Sequence, residues 1–203
     1  MKQALIFKHE SPHVKADFHE NDTKDPIKIL QSIYDQYDAQ FVEEIILEEL
    51  EIPEITPELR DKLQEFPNVH SFGINRCGLQ SLTNFPSFKH LVRFQADGNL
   101  IKAKQIGYLK KYTELRSISL ICNQIDDPKI MIKYLKEMKI IQLNLYGNPM
   151  QDYFKLFFDE IPSLIYLDNL QKTGAEVYYD YDDTNELSKQ DGYICPNYKE
   201  YKS

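Results

Sequence analysis

The chain has 203 residues, 42% of them hydrophobic, which suits one domain with its own core, and a formal net charge of −8. Its three cysteines, Cys77, Cys122 and Cys195, are odd in number and lack CxxC spacing, which excludes a disulfide framework and a zinc site and predicts a reducing compartment. No apolar run approaches the roughly 20 residues that cross a bilayer, and residues 1–10 hold too short an apolar stretch for a signal peptide, so a soluble intracellular protein without a membrane span is expected.

Residues 1–24 read as a polar N-terminal arm without periodicity. His9, His13 and His19 accompany Glu10, Asp17 and Glu20 there, but at no standard ligand spacing, so no metal is expected. At Asp25-Pro26 a helix opens in which Ile27, Leu30, Ile33, Tyr34 and Tyr37 recur at helical spacing, which predicts a helical cap over 25–41. Residues 42–150 then repeat. The pattern L-x-x-L-x-L-x-x-N-x-L, with any aliphatic residue at L, is met by Val42-Ile45-Leu47-Leu50-Ile52 and by Val69-Phe72-Ile74-Cys77-Leu79. It continues with Leu91-Phe94-Ala96-Asn99-Ile101, Leu115-Ile118-Leu120-Asn123-Ile125 and Ile140-Leu143-Leu145-Asn148-Met150. First positions at 42, 69, 91, 115 and 140 give periods of 27, 22, 24 and 25, inside the range of leucine-rich repeats.

Each repeat position has a physical task. In x-L-x-L-x the alternating apolar side chains of a short strand point into the body, while the x residues line one face of a parallel sheet. Asn99, Asn123 and Asn148 are placed to hydrogen-bond backbone groups of neighbouring coils at the turn, and Cys77 takes that place in the second coil as a buried structural thiol. Between strands the sequence predicts helices. Thr56 caps one over 57–66 with Leu59, Leu63 and Phe66 inward, and Asp127-Pro128 open another whose inner stripe is Met131, Tyr134, Leu135 and Met138. The fold class is therefore α/β: a right-handed leucine-rich-repeat solenoid with a parallel concave sheet, helices on the convex side and helical caps at both ends.

After Gly147-Asn148-Pro149, residues 151–170 carry Phe157-Phe158, Ile161-Pro162-Ser163-Leu164 and Tyr166-Leu167-Asp168. This ending resembles the C-terminal cap of leucine-rich-repeat proteins, and the stretch 26–170 is similar to the acidic leucine-rich nuclear phosphoproteins. The spliceosomal A-prime protein and axonemal leucine-rich-repeat proteins share the same cap. The resemblance implies a protein-binding module, with histone chaperoning, phosphatase inhibition, splicing and axonemal assembly among the family roles. One departure stands out: residues 171–203 hold 7 acids and 4 lysines in place of the family's long acidic tail, which weakens a histone-chaperone assignment.

No phosphate loop, nucleophile elbow or acid/base pair in a cleft is found, so neither catalytic residues nor a cofactor are expected. The concave sheet is the expected partner-binding surface, through Glu44, Glu48, Asn75, Arg93, Gln95, Asp97, Arg116, Ser119, Ile121, Asn144 and Tyr146, with Arg93, Arg116 and Tyr146 as anchor types. Charge is uneven, −7 over residues 43–65 and +7 over 66–150. Lys129, Lys133 and Lys136 should make the convex side basic; without aromatic interleaving, nucleic acid is not expected there. The C-terminal arm, 171–203, offers Tyr178, Tyr179, Tyr181, Tyr193 and Tyr198 as docking groups. The expected function is non-enzymatic: a structural or adaptor subunit binding protein partners in a multi-subunit assembly of the cytoplasm, with the ciliary axoneme as its setting. The alternative is a nuclear regulator of the acidic phosphoprotein type, binding histones or a phosphatase.

Overall fold

The computed structural model describes residues 4–5 and 24–175. The alternating apolar residues of the repeats form strands β2 (Glu44–Glu48), β3 (Ser71–Asn75), β4 (Arg93–Gln95), β5 (Ser117–Ser119) and β6 (Gln142–Asn144), which pair in parallel in that order. Register follows the repeat: Phe72 lies beside Phe94, Phe94 beside Ile118, and Ile118 beside Leu143. All four are fully buried, since one face of every strand fills the same continuous core.

Both edges of this parallel sheet are paired antiparallel. At one, β1 (Ala4–Leu5) runs along β2, with Ala4 opposite Leu47. Residues 4–5 of the polar N-terminal arm therefore contribute backbone to the sheet. The physical reason is that β2 at the edge presents a row of unpaired N–H and C=O groups to any extended segment within reach. At the other edge, β7 (Tyr166–Leu167) continues the parallel order and turns into β8 (Leu170–Gln171).

Helix α1 (Pro26–Gln36) starts where expected, with Asp25 accepting from the Ile27 N–H at 2.9 Å. Its buried stripe is Ile29, Leu30 and Ile33, whereas Tyr34 is 45% exposed. The sequence pattern assigned Tyr34 inward and passed over Ile29; the observed stripe groups the aliphatics, and Tyr34 meets the core only as a ring edge against Phe66, 6.2 Å between centroids. Helix α2 (Pro57–Leu63) has Thr56 as its cap, 3.1 Å from the Leu59 nitrogen. Helix α3 (Pro128–Leu135) has Asp127, which accepts from the N–H groups of Lys129 and Ile130. Helix α4 (Tyr153–Glu160) buries Phe157 and Phe158.

Not every coil carries an α-helix. The coil after β3 crosses the back of the sheet as turns, and the next one uses a 3₁₀ segment, Ala103–Lys111. Two features disfavour a helix in the first of these: its period of 22 is the shortest, and Pro86 lacks an N–H and disfavours helical backbone at the residue before it, Phe85. Aromatic rings fill the space, with Phe85 4.8 Å from Phe94 and 5.3 Å from Tyr112 between centroids.

The asparagine ladder is present. Asn99 Oδ1 accepts from the Cys77 and Leu79 N–H groups, and its Nδ2 donates to the Ile74 carbonyl at 2.7 Å. Asn148 repeats this with Ile125 and Leu120. Cys77 lies buried with Sγ 3.2 Å from the Asn75 carbonyl, and burial pushes its thiol up to about 11, which keeps it protonated and unreactive at neutral pH.

Candidate protein-binding face

The strand residues that point away from the core make three rows across the sheet. The row at the strand starts comprises Glu44, Ser71, Arg93, Ser117, Gln142 and Tyr166, in register. Ser71 Oγ donates to Glu44 at 2.6 Å and Ser117 Oγ to Gln142 at 3.2 Å. Burial raises the Glu44 carboxyl above its usual range, while Ser71 and the Arg93 charge pull it back. In the middle row, Ile46 is buried and packs tightly on Gly73 beside it: a Cβ at Gly73 would lie 3.2 Å from Ile46, so the isoleucine would have to shift by a few tenths of an ångström.

The third row, at the strand ends, holds an ion network. Arg76 reaches Glu48 at 2.7 Å and Glu49 at 3.1 Å. Asp97 Oδ1 accepts from Ser119 Oγ at 2.7 Å and from the Ile121 N–H at 2.8 Å. Burial pushes Asp97 up to about 6, against the lowering effects of those two hydrogen bonds and of Arg76.

This network corrects the expected contact set. Glu48 and Ser119 are buried, and Asp97 spends its carboxylate on neighbouring coils, so all three hold the sheet together. They were assigned to the partner because alternation gives direction, not cross-strand pairing. Arg116 also departs from expectation: its guanidinium donates back to the Thr113 and Leu115 carbonyls at 2.9 and 3.0 Å, beside the strand start.

The surface that remains runs through Arg93, Gln95, Ile121 and Asn144, each partly exposed, to Tyr146 at 50% exposure. Asn75 lies between the two groups, its Oδ1 accepting from the Asp97 N–H. Asn144 Oδ1 is buried and has no hydrogen-bond partner among the described residues. Sequence reasoning missed Arg76, the hub of the network, and a line of exposed apolar residues, Val92, Ile141 and Ile165. Each of these three directly follows an inward first position (Leu91, Ile140, Leu164), so two adjacent apolar residues at that point were the available signal.

On the opposite side Lys129, Lys133 and Lys136 are exposed, as expected, and Lys133 stands 6.0 Å over the Tyr134 ring. Tyr108, 44% exposed, lies in the lysine-bearing 3₁₀ segment, so this side is not without aromatics. The proposed arm anchors Tyr178, Tyr179, Tyr181, Tyr193 and Tyr198 fall outside the described residues. Among the described residues no helix is long and apolar enough to cross a membrane.

The Asp97 site carries a pH signature. A carboxyl raised from 3.8 to about 6 on folding binds its proton more tightly in the native state, so the contribution of Asp97 to stability is fully present below pH 3.8 and is lost as pH rises through about 6. Asp97→Asn keeps the acceptor oxygen and removes the titration. Melting curves at intervals between pH 4 and 7 should show wild type losing on the order of 1–3 kcal/mol more than the variant. Parallel pH profiles would contradict an enclosed carboxylate.

No protein-family model matches the chain. Among curated proteins it is 30% identical over 155 residues to a histone, variant Y, of Tetrahymena thermophila, covering 73% of this chain and 40% of that protein. It is 27% identical over 140 residues to the acidic leucine-rich nuclear phosphoprotein 32-related protein of Plasmodium falciparum, covering 66% and 50%. Acidic leucine-rich nuclear phosphoprotein 32 family member A of Drosophila melanogaster is 29% identical over 123 residues, 59% and 46% of the two chains. The chain thus spans 40% to 50% of the length of these relatives. In fold it is similar to a chain of the Drosophila melanogaster SNF/U2A′ complex, with a TM-score of 0.52, 20% identity, and coverage of 77% of this chain and 84% of that one. The stacked parallel strands, the asparagine ladder and these relatives agree: the chain is a leucine-rich-repeat protein that resembles the acidic leucine-rich nuclear phosphoprotein 32 family.

Proposed function

We propose that this chain is a non-enzymatic protein-binding module that acts in the nucleus and holds a basic protein partner, a histone, against the outward face of its sheet. The names of its relatives favour this reading over the axonemal adaptor expected from the sequence. In this reading the coils form a right-handed solenoid whose sheet is concave, closed by α1 at one end and α4 at the other.

The observation that carries it is the face itself. Tyr146 is half exposed at the strand ends, beside the partly exposed Ile121, Asn144 and Gln95. A half-exposed aromatic ring held on a rigid strand end, among polar and aliphatic neighbours, is an anchor that a protein partner can cover. The acidic first coil, −7 over residues 43–65, suits a basic partner and attracts it.

The test is the affinity of the chain for purified core histones, read by calorimetry. Tyr146→Ala is expected to weaken it by roughly tenfold, the cost of truncating an interface anchor, with the melting temperature unchanged because the ring carries little fold energy. No measurable binding, or equal binding by the variant, sinks this assignment.

A further inference from the structure

The end of the molecule that carries α1 has a second recognition feature, lined by residues other than those of the outward face just described. A hollow of about 330 Å³ lies between the end of α1 and the end of α2, lined by Tyr34, Tyr37, Asp38 and Glu65 over Pro67. That volume is at the small end of the range for ligand sites. We propose that this hollow receives an alkylammonium side chain, a lysine and most strongly its trimethylated form, presented by a basic protein segment.

The lining residues carry this. Tyr34 lies in the last turn of α1 and Tyr37 is its extended C-cap, and both line the hollow. Tyr34 is held in place by the edge contact with Phe66 while remaining 45% exposed. Asp38 is fixed by accepting the Gln40 N–H at 3.0 Å. No lysine or arginine lines the hollow, and the segment 43–65 that follows carries a net charge of −7.

The chain also demonstrates the chemistry on itself. Lys62 places its ammonium 4.9 Å from the centroid of the Tyr34 ring, 2.7 Å from Glu65 and 2.6 Å from Gln31 Oε1. Ring and carboxylate thus already hold one alkylammonium group at the wall of the hollow. Lys62 engages Glu65 and the Tyr34 ring without itself lining the cavity, so a second cation entering it meets Tyr37, the remaining exposed surface of Tyr34 and Asp38. That balance favours a methylated ammonium, which loses less hydration and fewer hydrogen bonds on entry than a primary one, and whose attraction to aromatic faces grows with desolvation.

The test is an NMR titration of the full chain with N-acetyl-trimethyllysine methylamide, the unmethylated lysine compound, and the neutral tert-butyl isostere of the trimethyl head group. The expected result is shifts confined to residues 34–40 and 65–67, with the trimethyl compound binding roughly tenfold more tightly than the neutral isostere. Tyr34→Phe should retain binding and Tyr34→Ala should lose it; if Tyr34→Ala perturbs the whole spectrum, Asp38→Asn serves instead, with binding expected to weaken about threefold. Equal binding of the charged and neutral compounds, shifts outside this region, or no response at millimolar ligand each overturn the proposal. The probes are single amino acids that do not require the outward sheet face, so a failure here is separable from a failure of the histone-binding reading.

Discussion

Replacing Asn123 by Leu is expected to destabilise the chain by about 3 kcal/mol, because no rearrangement nearby can replace what the amide does. Its Oδ1 accepts from the Ile101 N–H at 3.0 Å, and its Nδ2 donates to the Ala96 carbonyl at 2.8 Å and to the Ile121 carbonyl at 3.2 Å. The residue is only 4% exposed, so water cannot take over these roles. Leucine matches the volume and supplies no polar group, and each buried backbone group left unpaired costs about 1–3 kcal/mol. Urea denaturation gives the measurement: a lower midpoint with an unchanged slope. A midpoint equal to wild type would show that the amide is not needed for the stack.

An effect of similar size is expected at the far end of the sheet. Asp168 sits in left-handed backbone at φ 51° and turns its carboxylate onto the preceding coil. Oδ1 accepts from the Leu145 N–H at 2.6 Å and the Tyr146 N–H at 2.9 Å, and Oδ2 accepts from the Tyr153 hydroxyl at 2.5 Å. One side chain thus satisfies two backbone donors of the preceding coil and ties them to α4. Asp168→Ala should cost about 2–4 kcal/mol, whereas Tyr153→Phe, which removes one of the three hydrogen bonds, should cost about 1 kcal/mol. The double variant should fall short of the sum, since both changes break the same contact. Hydrogen exchange localises the effect: Leu145 and Tyr146 amides should exchange faster in Asp168→Ala while the β2–β3 ladder keeps its protection. Uniform acceleration across the sheet would contradict a local closing role.

Much of this architecture was legible because repetition multiplies a weak signal. One L-x-x-L-x-L segment says little; five at periods of 22 to 27 residues set the inward residues, the order of the strands and the asparagine ladder. Helix starts were legible for a local reason: Asp25, Thr56 and Asp127 each precede a proline, and capping is decided within one turn of the backbone.

Tertiary structure alone decided how the outward residues are used. Arg76 shows why. It occupies the same left-handed position as Glu49, Gly98, Cys122 and Gly147, with φ between 53° and 75° throughout. Two glycines in five mark that turn in the sequence, but where the arginine goes depends on Glu48 and Glu49, 27 or more residues away in the chain and one coil away in space. The same holds for Asp97, which pairs with Ser119 across 22 residues. The hollow between α1 and α2 likewise exists only once the two helices are side by side. Periodicity and capping are local and survive in a linear reading, whereas charge pairing, burial of a carboxylate and the shape of a cavity arise between segments that meet only when the chain has folded.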